Sequence, residues 1–511
     1  MIFKTAIKGY LERPLRDLNE MKSWSPEKVD RALAKLDPKP VFITKPRHHQ
    51  KVCFLLLAKD PQTLQLLGMG LGKTKLVLDV FRWYKAAGKL KRLLVLVPNI
   101  VNLESWRAEI ALHAPDLSAV YIEGPRSGRQ EALYCEESDL CISTYAGLNF
   151  LVCDKIRKKL QISYRCIQET QKLFDGVILD EITNLMSHRS LSFRVVQRLS
   201  NKWRLRIGLT GTPLGRDPMV LWSQFFAVDR GEALGKTIGL FRQSFFSAKP
   251  GYWGGTEYEF KQRMTPKLRR MMAHSAISYS SSECLDLPPK VPILRPVVMS
   301  EEAWAYYHAV LDQARERDIE SVIDVENVFI RLRQITSGFV SIDGKPSPFK
   351  ENPKLDALME LVDELPENDK LVVFNEFVFS GNLISAGLKE RGIKHARLYS
   401  GTKDKRAELR RFLDDPQCRV FVVNSRSGAM GLNLQVSHYV AVYESPVSPI
   451  VRQQAEARCL RQGQRETVFI YDLLCKNTVD GKILGFLAEG RDLFKALVEG
   501  GLKVLGGRQR L

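Results

Sequence analysis

The run Gly68-Met-Gly-Leu-Gly-Lys-Thr74 constrains this chain more than any other segment. Before it, Leu64-Gln-Leu-Leu67 suits a short buried strand; after it, Lys75-Leu-Val-Leu-Asp-Val80 suits a helix. Strand, glycine turn and helix N-terminus together point backbone N–H groups and a positive dipole end at an anion. Gly68, Gly70 and Gly72 are needed because a side chain would block close approach and because the turn visits positive φ. In such a nucleotide-phosphate cradle Lys73 reaches the β- and γ-phosphates, and Thr74 places its hydroxyl on Mg2+. The first glycine of the general pattern falls on Leu67, a departure that leaves an ordinary turn before a helix as the alternative.

At 511 residues the chain exceeds one ordinary core, and two to four domains are expected. Seventy-seven Lys and Arg against 58 Asp and Glu leave a net charge of +19, which favours a polyanionic partner such as nucleic acid. The nine cysteines are scattered without a CxxC pair, which argues against zinc and for a reducing compartment. The first ten residues lack a signal peptide's apolar stretch, and no apolar run has the length of a membrane span. An intracellular protein is expected, without a membrane partner.

Strands and helices alternate in two stretches. Leu93–Val97, Leu140–Ser143, Val177–Leu179 and Ile207–Thr210 are short apolar runs in the first. Leu371–Phe374, Ala396–Tyr399, Val420–Val423, Tyr439–Tyr443 and Val468–Tyr471 repeat the texture in the second. The expected divisions are a helical preface over 1–40, an α/β lobe over 41–248, and an insert and linker over 249–350. A second α/β lobe over 351–490 and a basic tail over 491–511 follow. Ser25-Pro26-Glu27 caps a helix in the preface, ending before Pro38. The basic, aromatic-bearing stretch from Tyr252 to His274 suits a grip on nucleic acid, a partner surface or a solvated helix pair.

Further chemistry gathers at strand ends. Asp180 and Glu181 close the run Val177-Ile-Leu179; the first acid can hold Mg2+, and the second can orient and deprotonate a water. Gly208-Leu-Thr-Gly-Thr-Pro213 offers Thr210 and Thr212 as a relay to those acids, and the amide of Gln50 can read an adenine edge. Arg458 and Arg461, at i and i+3 on one helical face, suit arginine fingers for a γ-phosphate. Ser143, Thr144 and Tyr145 in the first stretch, and Ser425, Arg426 and Asn433 in the second, are placed to meet a nucleic-acid backbone. Taken singly, each of these also reads as a strand-end turn, a helix start or a solvated basic helix.

The ordered set MGLGKT, DE, LTGTP, Ser425–Asn433 and QAEARCLRQGQ resembles the superfamily-two helicase-like ATPases, and most of all the Swi/Snf-type DNA translocases. Leu221-Trp222, Asp286-Leu-Pro-Pro-Lys290, Leu332-Arg-Gln-Ile-Thr-Ser-Gly338, Lys354 and Thr478-Val-Asp480 carry the narrower likeness, which runs from Val41 to Phe486. It implies an α/β fold of two RecA-like parallel-sheet lobes with a mostly helical insert. It also implies a DNA-stimulated ATPase that translocates on double-stranded DNA and remodels DNA or DNA-bound proteins. A strand-separating helicase on DNA or RNA, and an ATP-switched DNA clamp, are the alternatives. By the resemblance Gln50 contacts adenine, Lys73 and Thr74 the phosphates and Mg2+, Asp180 the Mg2+ and Glu181 the water. Thr210 and Thr212 couple the sites, and Arg458 and Arg461 act as fingers with Gln454 beside them. The chain departs from the family at Thr183, at Gly215-Arg216 and at Ala457 and Leu460, which touches coupling rather than hydrolysis. The short flanks suit a bacterial or viral motor in the cytoplasm more than a nuclear one.

Overall fold

The computed structural model describes residues 2–156, 159–211, 218–250, 256–316, 322–342, 344–425, 432–461 and 463–489. Thr212, Gly215, Arg216, Tyr252, Arg426 and the expected basic tail lie outside them. The chain divides into two units, Met1–Leu285 and Asp286–Leu511. Among the described residues no helix is long and apolar enough to cross a membrane.

In the first unit the strands are β1 (Leu64–Leu67), β2 (Leu93–Val97), β3 (Ala119–Ile122), β4 (Leu140–Thr144), β5 (Cys153–Ile156), β6 (Lys159–Ile162), β7 (Gly176–Leu179), β8 (Leu205–Thr210), β9 (Phe246–Pro250), β10 (Thr256–Phe260) and β11 (Ala276–Tyr279). Seven of them form one parallel sheet in the order β11-β1-β8-β7-β2-β4-β3. Its central strands are continuous apolar runs because both faces are covered. Leu64, Leu66, Val177 and Leu179 join the core on one face, while Leu67, Ile178, Ile207 and Leu209 join the core on the other. β5 with β6, and β9 with β10, are separate antiparallel hairpins.

The N-terminal residues fold against this unit. Leu18 N–H donates to the Ala273 carbonyl, and Asn19 Oδ1 accepts from Ser278 on the edge strand β11. Ser25 caps the helix Pro26–Leu33 as expected, accepting from Lys28 N–H.

The second unit holds β12 (Lys290–Val297), β13 (Phe339–Ile342), β14 (Lys345–Pro348), β15 (Leu371–Asn375), β16 (His395–Leu398), β17 (Val420–Asn424), β18 (Tyr439–Val442) and β19 (Val468–Cys475). Six form a second parallel sheet in the order β12-β19-β18-β15-β17-β16, and β13 pairs with β14 in a hairpin. Two parallel α/β lobes are therefore present, as the alternation predicts.

The stretch 249–350 holds more than the helices of an insert. It carries the helices Thr265–Met272, Glu301–Glu316 and Val322–Thr336, but it also gives β11 to the first sheet and β12 to the second. β12 is hard to read because Pro292 and Pro296 interrupt it. The two prolines have the same parity on an edge strand, so their missing N–H groups fall on its open side.

Candidate functional site

The glycine run forms the expected strand–turn–helix between β1 and the helix Lys73–Ala86, with Gly70 and Gly72 at positive φ. Gly72 is the helix N-cap at φ 71°, and a Cβ there would stand 2.3 Å from Gln50 Nε2. No other residue type satisfies both the angle and the contact. Lys73 Nζ donates to the Leu67 carbonyl at 3.1 Å and the Gly68 carbonyl at 3.5 Å, so its ammonium folds back over the turn.

Two further elements grip the turn. Gln50 and His49 are buried at the start of the helix His48–Lys59. Gln50 Nε2 donates to the Leu71 and Gly72 carbonyls at 3.1 and 3.4 Å, and its Oε1 accepts from Arg47 N–H at 2.9 Å. His49 Nε2 bonds the Leu71 carbonyl at 3.0 Å, and burial lowers its pKa, which keeps the ring neutral. On the other side, Ser281 Oγ donates to the Met69 carbonyl at 2.7 Å, and Gly68 N–H donates to Tyr279 O at 2.8 Å. Gly68 is glycine because a Cβ would lie 2.6 Å from Ser281 Oγ and 2.7 Å from Ser281 N.

β8 lies between β1 and β7, and this order assembles the rest of the site. Asp180 is buried just past β7; its Oδ2 accepts from Trp106 Nε1 at 2.8 Å, and its Oδ1 from Glu181 N–H at 3.0 Å. Burial, reinforced by the Glu181 charge, pushes the Asp180 carboxyl up to about 6 against the opposing pull of Trp106 and the Lys73 ammonium. Glu181 has φ 43°, a left-handed backbone rare for a side chain of this kind. Its Oε2 accepts from Thr210 Oγ1, at the end of β8, at 3.1 Å. The next residue, Gly211, has a Cβ direction ending 3.7 Å from Lys73 Nζ. Lys73, Asp180, Glu181 and Thr210 thus belong to one cluster, with Thr74 in the first turn of the helix behind Lys73.

Several expected nucleic-acid contacts are spent elsewhere. Ser143 is buried with its hydroxyl on the Thr144 carbonyl, and Thr144 caps the helix Tyr145–Val152 by accepting from Gly147 N–H. Tyr145 is buried and donates its hydroxyl to the Asp180 carbonyl at 3.0 Å, facing the acid pair and not solvent. In the second unit Ser425 is buried beside the Asn375 carbonyl, while Asn433 is exposed.

The arginine segment departs from a helical face. The helix Pro449–Glu456 carries half-buried Gln454 and ends before Arg458. Arg458 O accepts from Leu434 N–H at 3.0 Å, and this tertiary bond competes with helix continuation. Arg461 donates to the Leu432 carbonyl at 3.3 Å, so both arginines bond the stretch Leu432–Leu434, where the Ser425–Asn433 segment ends. The family-marking residues of this unit also converge: Asp480 accepts from Thr336 at 2.9 Å and from buried Lys354 at 2.7 Å. Sequence reading passes over Trp106, His49 and Ser281. A tryptophan on the same helical face as Leu103 and Ile110 is a signal in itself, because a buried indole N–H needs an acceptor.

Residues 50–339 match the SNF2-related domain, and residues 353–463 match the helicase conserved C-terminal domain. An uncharacterized ATP-dependent helicase of Mycoplasma genitalium is 23% identical over 84% of this chain and 40% of its own length. The ATP-dependent DNA helicase DDM1 of Arabidopsis thaliana is 24% identical over 81% of this chain and 56% of its own length. The chain thus spans about half or less of these relatives. The solved SWI2/SNF2 ATPase core of Sulfolobus solfataricus in complex with dsDNA is 24% identical, covering 91% of this chain and 96% of that one, at a TM-score of 0.41.

Proposed function

Because this chain belongs to the SNF2-related family, we propose that it is an ATP-driven motor that translocates on double-stranded DNA and remodels DNA or the proteins bound to it. The observation that carries this reading is the cluster at three adjacent strand ends: the Lys73 turn, the Asp180–Glu181 pair and Thr210 between them. Lys73 exchanges the Leu67 and Gly68 carbonyls for the β- and γ-phosphates of ATP. Gln50, braced on the turn, contacts adenine.

Thr74 and Asp180 are the residues that would hold Mg2+. The donor set fits: both offer hard oxygens, and each Asp180 oxygen is fixed by one donor and keeps lone-pair capacity. A carboxylate raised by burial and by a like charge also gains most from a cation beside it. Bound there, the metal supplies charge neutralisation at the phosphates.

Glu181 orients and deprotonates the hydrolytic water, and the Thr210 hydroxyl on its carboxylate links that acid to the nucleic-acid side, a coupling role that Thr212 shares. Arg458 and Arg461 supply the fingers, with Gln454 beside them. Phosphate contacts dominate the grip on DNA, so binding is independent of sequence. A reducing, intracellular setting suits the cysteine spacing.

The test is ATP hydrolysis alone and with duplex DNA, single-stranded DNA or RNA. Strong stimulation by duplex is expected, and Lys73→Ala and Glu181→Gln are expected to abolish turnover by 10²-fold or more, roughly, while retaining DNA binding. Stimulation by single strands or RNA alone would replace the translocase with a strand-separating helicase. Absence of stimulation would leave a nucleotide-switched clamp, and wild-type turnover in either variant would overturn the site.

A further inference from the structure

Two aromatic side chains from different helices converge on Asp180. Trp106 lies in the helix Ile100–His113, which follows β2, the neighbour of β7. It is 1% exposed, and its one polar group, the indole N–H, donates to Asp180 Oδ2 at 2.8 Å. An indole N–H cannot accept, so this bond has a single sense and holds the carboxylate plane. Tyr145 opens the helix after β4 and donates its hydroxyl to the Asp180 backbone carbonyl at 3.0 Å. That carbonyl belongs to the peptide leading into left-handed Glu181, whose N–H is turned back onto Asp180 Oδ1.

We propose that Trp106 and Tyr145 are positioning residues of the hydrolytic centre. Trp106 fixes the rotation of the Asp180 carboxylate, and Tyr145 fixes the peptide that aims Glu181 at Thr210. The inference rests on the reading of Asp180 as the Mg2+-holding acid. Groups that orient a metal ligand from behind commonly change metal affinity or activity by about 10–100-fold when removed. The same fold elements therefore build the core and pre-set the ligand geometry, so little ordering is left for the moment of binding.

The test uses the full chain and the variants Trp106→Phe and Tyr145→Phe, each of which removes a donor and keeps an aromatic ring. Binding of a fluorescent ATP analogue is titrated with Mg2+, and again in chelator without metal. In Trp106→Phe the half-saturating Mg2+ should rise about tenfold while metal-free nucleotide affinity stays unchanged. In Tyr145→Phe kcat should fall about tenfold with KM for ATP unchanged. A purely packing role would lower the melting temperature and leave both the Mg2+ midpoint and the kcat-to-KM split untouched, which overturns the proposal. Should Trp106→Phe not fold, Tyr145→Phe, which loses only a hydroxyl, decides. If the wild-type chain binds nucleotide with no response to Mg2+, the reading of Asp180 falls and this inference with it. A Mg2+-responsive wild type matched by both variants sinks the positioning roles alone.

Discussion

Glu181 shows how a single residue can be chemically apt and conformationally costly. Its side chain is turned onto Thr210 by a left-handed backbone at φ 43°, ψ 64°, a conformation that costs a non-glycine residue about 1 kcal/mol or more. Replacement by alanine loses the Thr210 bond and keeps the strain; replacement by glycine loses the same bond and relieves it. Glu181→Gly should therefore be more stable than Glu181→Ala by about 1 kcal/mol, reversing the order of a regular helix, with both variants inactive. Thermal melts of the two decide it: equal stability, or alanine ahead, would mean that the backbone there is not left-handed in solution. The acid pair itself is legible from two letters after an apolar run. The turn that separates the two carboxylates is not, because the groups bonded to it, Tyr145 on the Asp180 carbonyl and Trp106 on the Asp180 carboxylate, come from distant segments.

At the scale of elements, the joints between helices and strands carry buried charge. The helix Met219–Asp229 ends on a carboxylate that accepts from Gly231 N–H at 2.8 Å and Ala233 N–H at 2.9 Å. Burial outweighs those bonds and pushes the Asp229 carboxyl from its ordinary 3.8 up to about 6. The folded chain thus binds this proton more tightly than the unfolded chain. The Asp229 contribution to stability is fully present below its ordinary 3.8, is lost as pH rises through about 6, and is level above that. Asp180, also raised to about 6, adds a slope of the same sign. Melting temperatures measured from pH 4 to 7 should fall less steeply in Asp229→Asn than in the wild type; identical slopes would refute the assignment. In the second unit Arg452 is clamped by both oxygens of Asp472, at 2.6 and 2.8 Å, and by Glu456. Helix periodicity reveals only the Glu456 partner, four residues on; Asp472 comes from β19, far along the chain.

For the whole molecule, the excess of 77 basic over 58 acidic residues sets the expected character of DNA binding. If the grip is on phosphates, affinity for a random-sequence duplex should fall by on the order of 10³-fold between about 50 and about 200 mM salt. A nearly salt-independent affinity would reject backbone contact as the main term. Sequence alone determined the glycine turn, the acid pair, the strand end at Thr210 and most central strands. Each is a contiguous run whose backbone geometry and residue types are dictated locally: glycines at positive φ, apolar strands buried on both faces, polar residues where strands stop. β11, β12 and the true end of the arginine helix were not legible. The first is an edge strand broken by exposed Ser278, the second is interrupted by edge prolines, and the third stops at Glu456, after which the Arg458 carbonyl turns to Leu434. The tertiary structure alone decided that β8 runs between β1 and β7, which sets Thr210 against Glu181. Neighbours in a parallel sheet are chosen by long crossovers and by burial on both faces, and no local stretch of sequence encodes that choice.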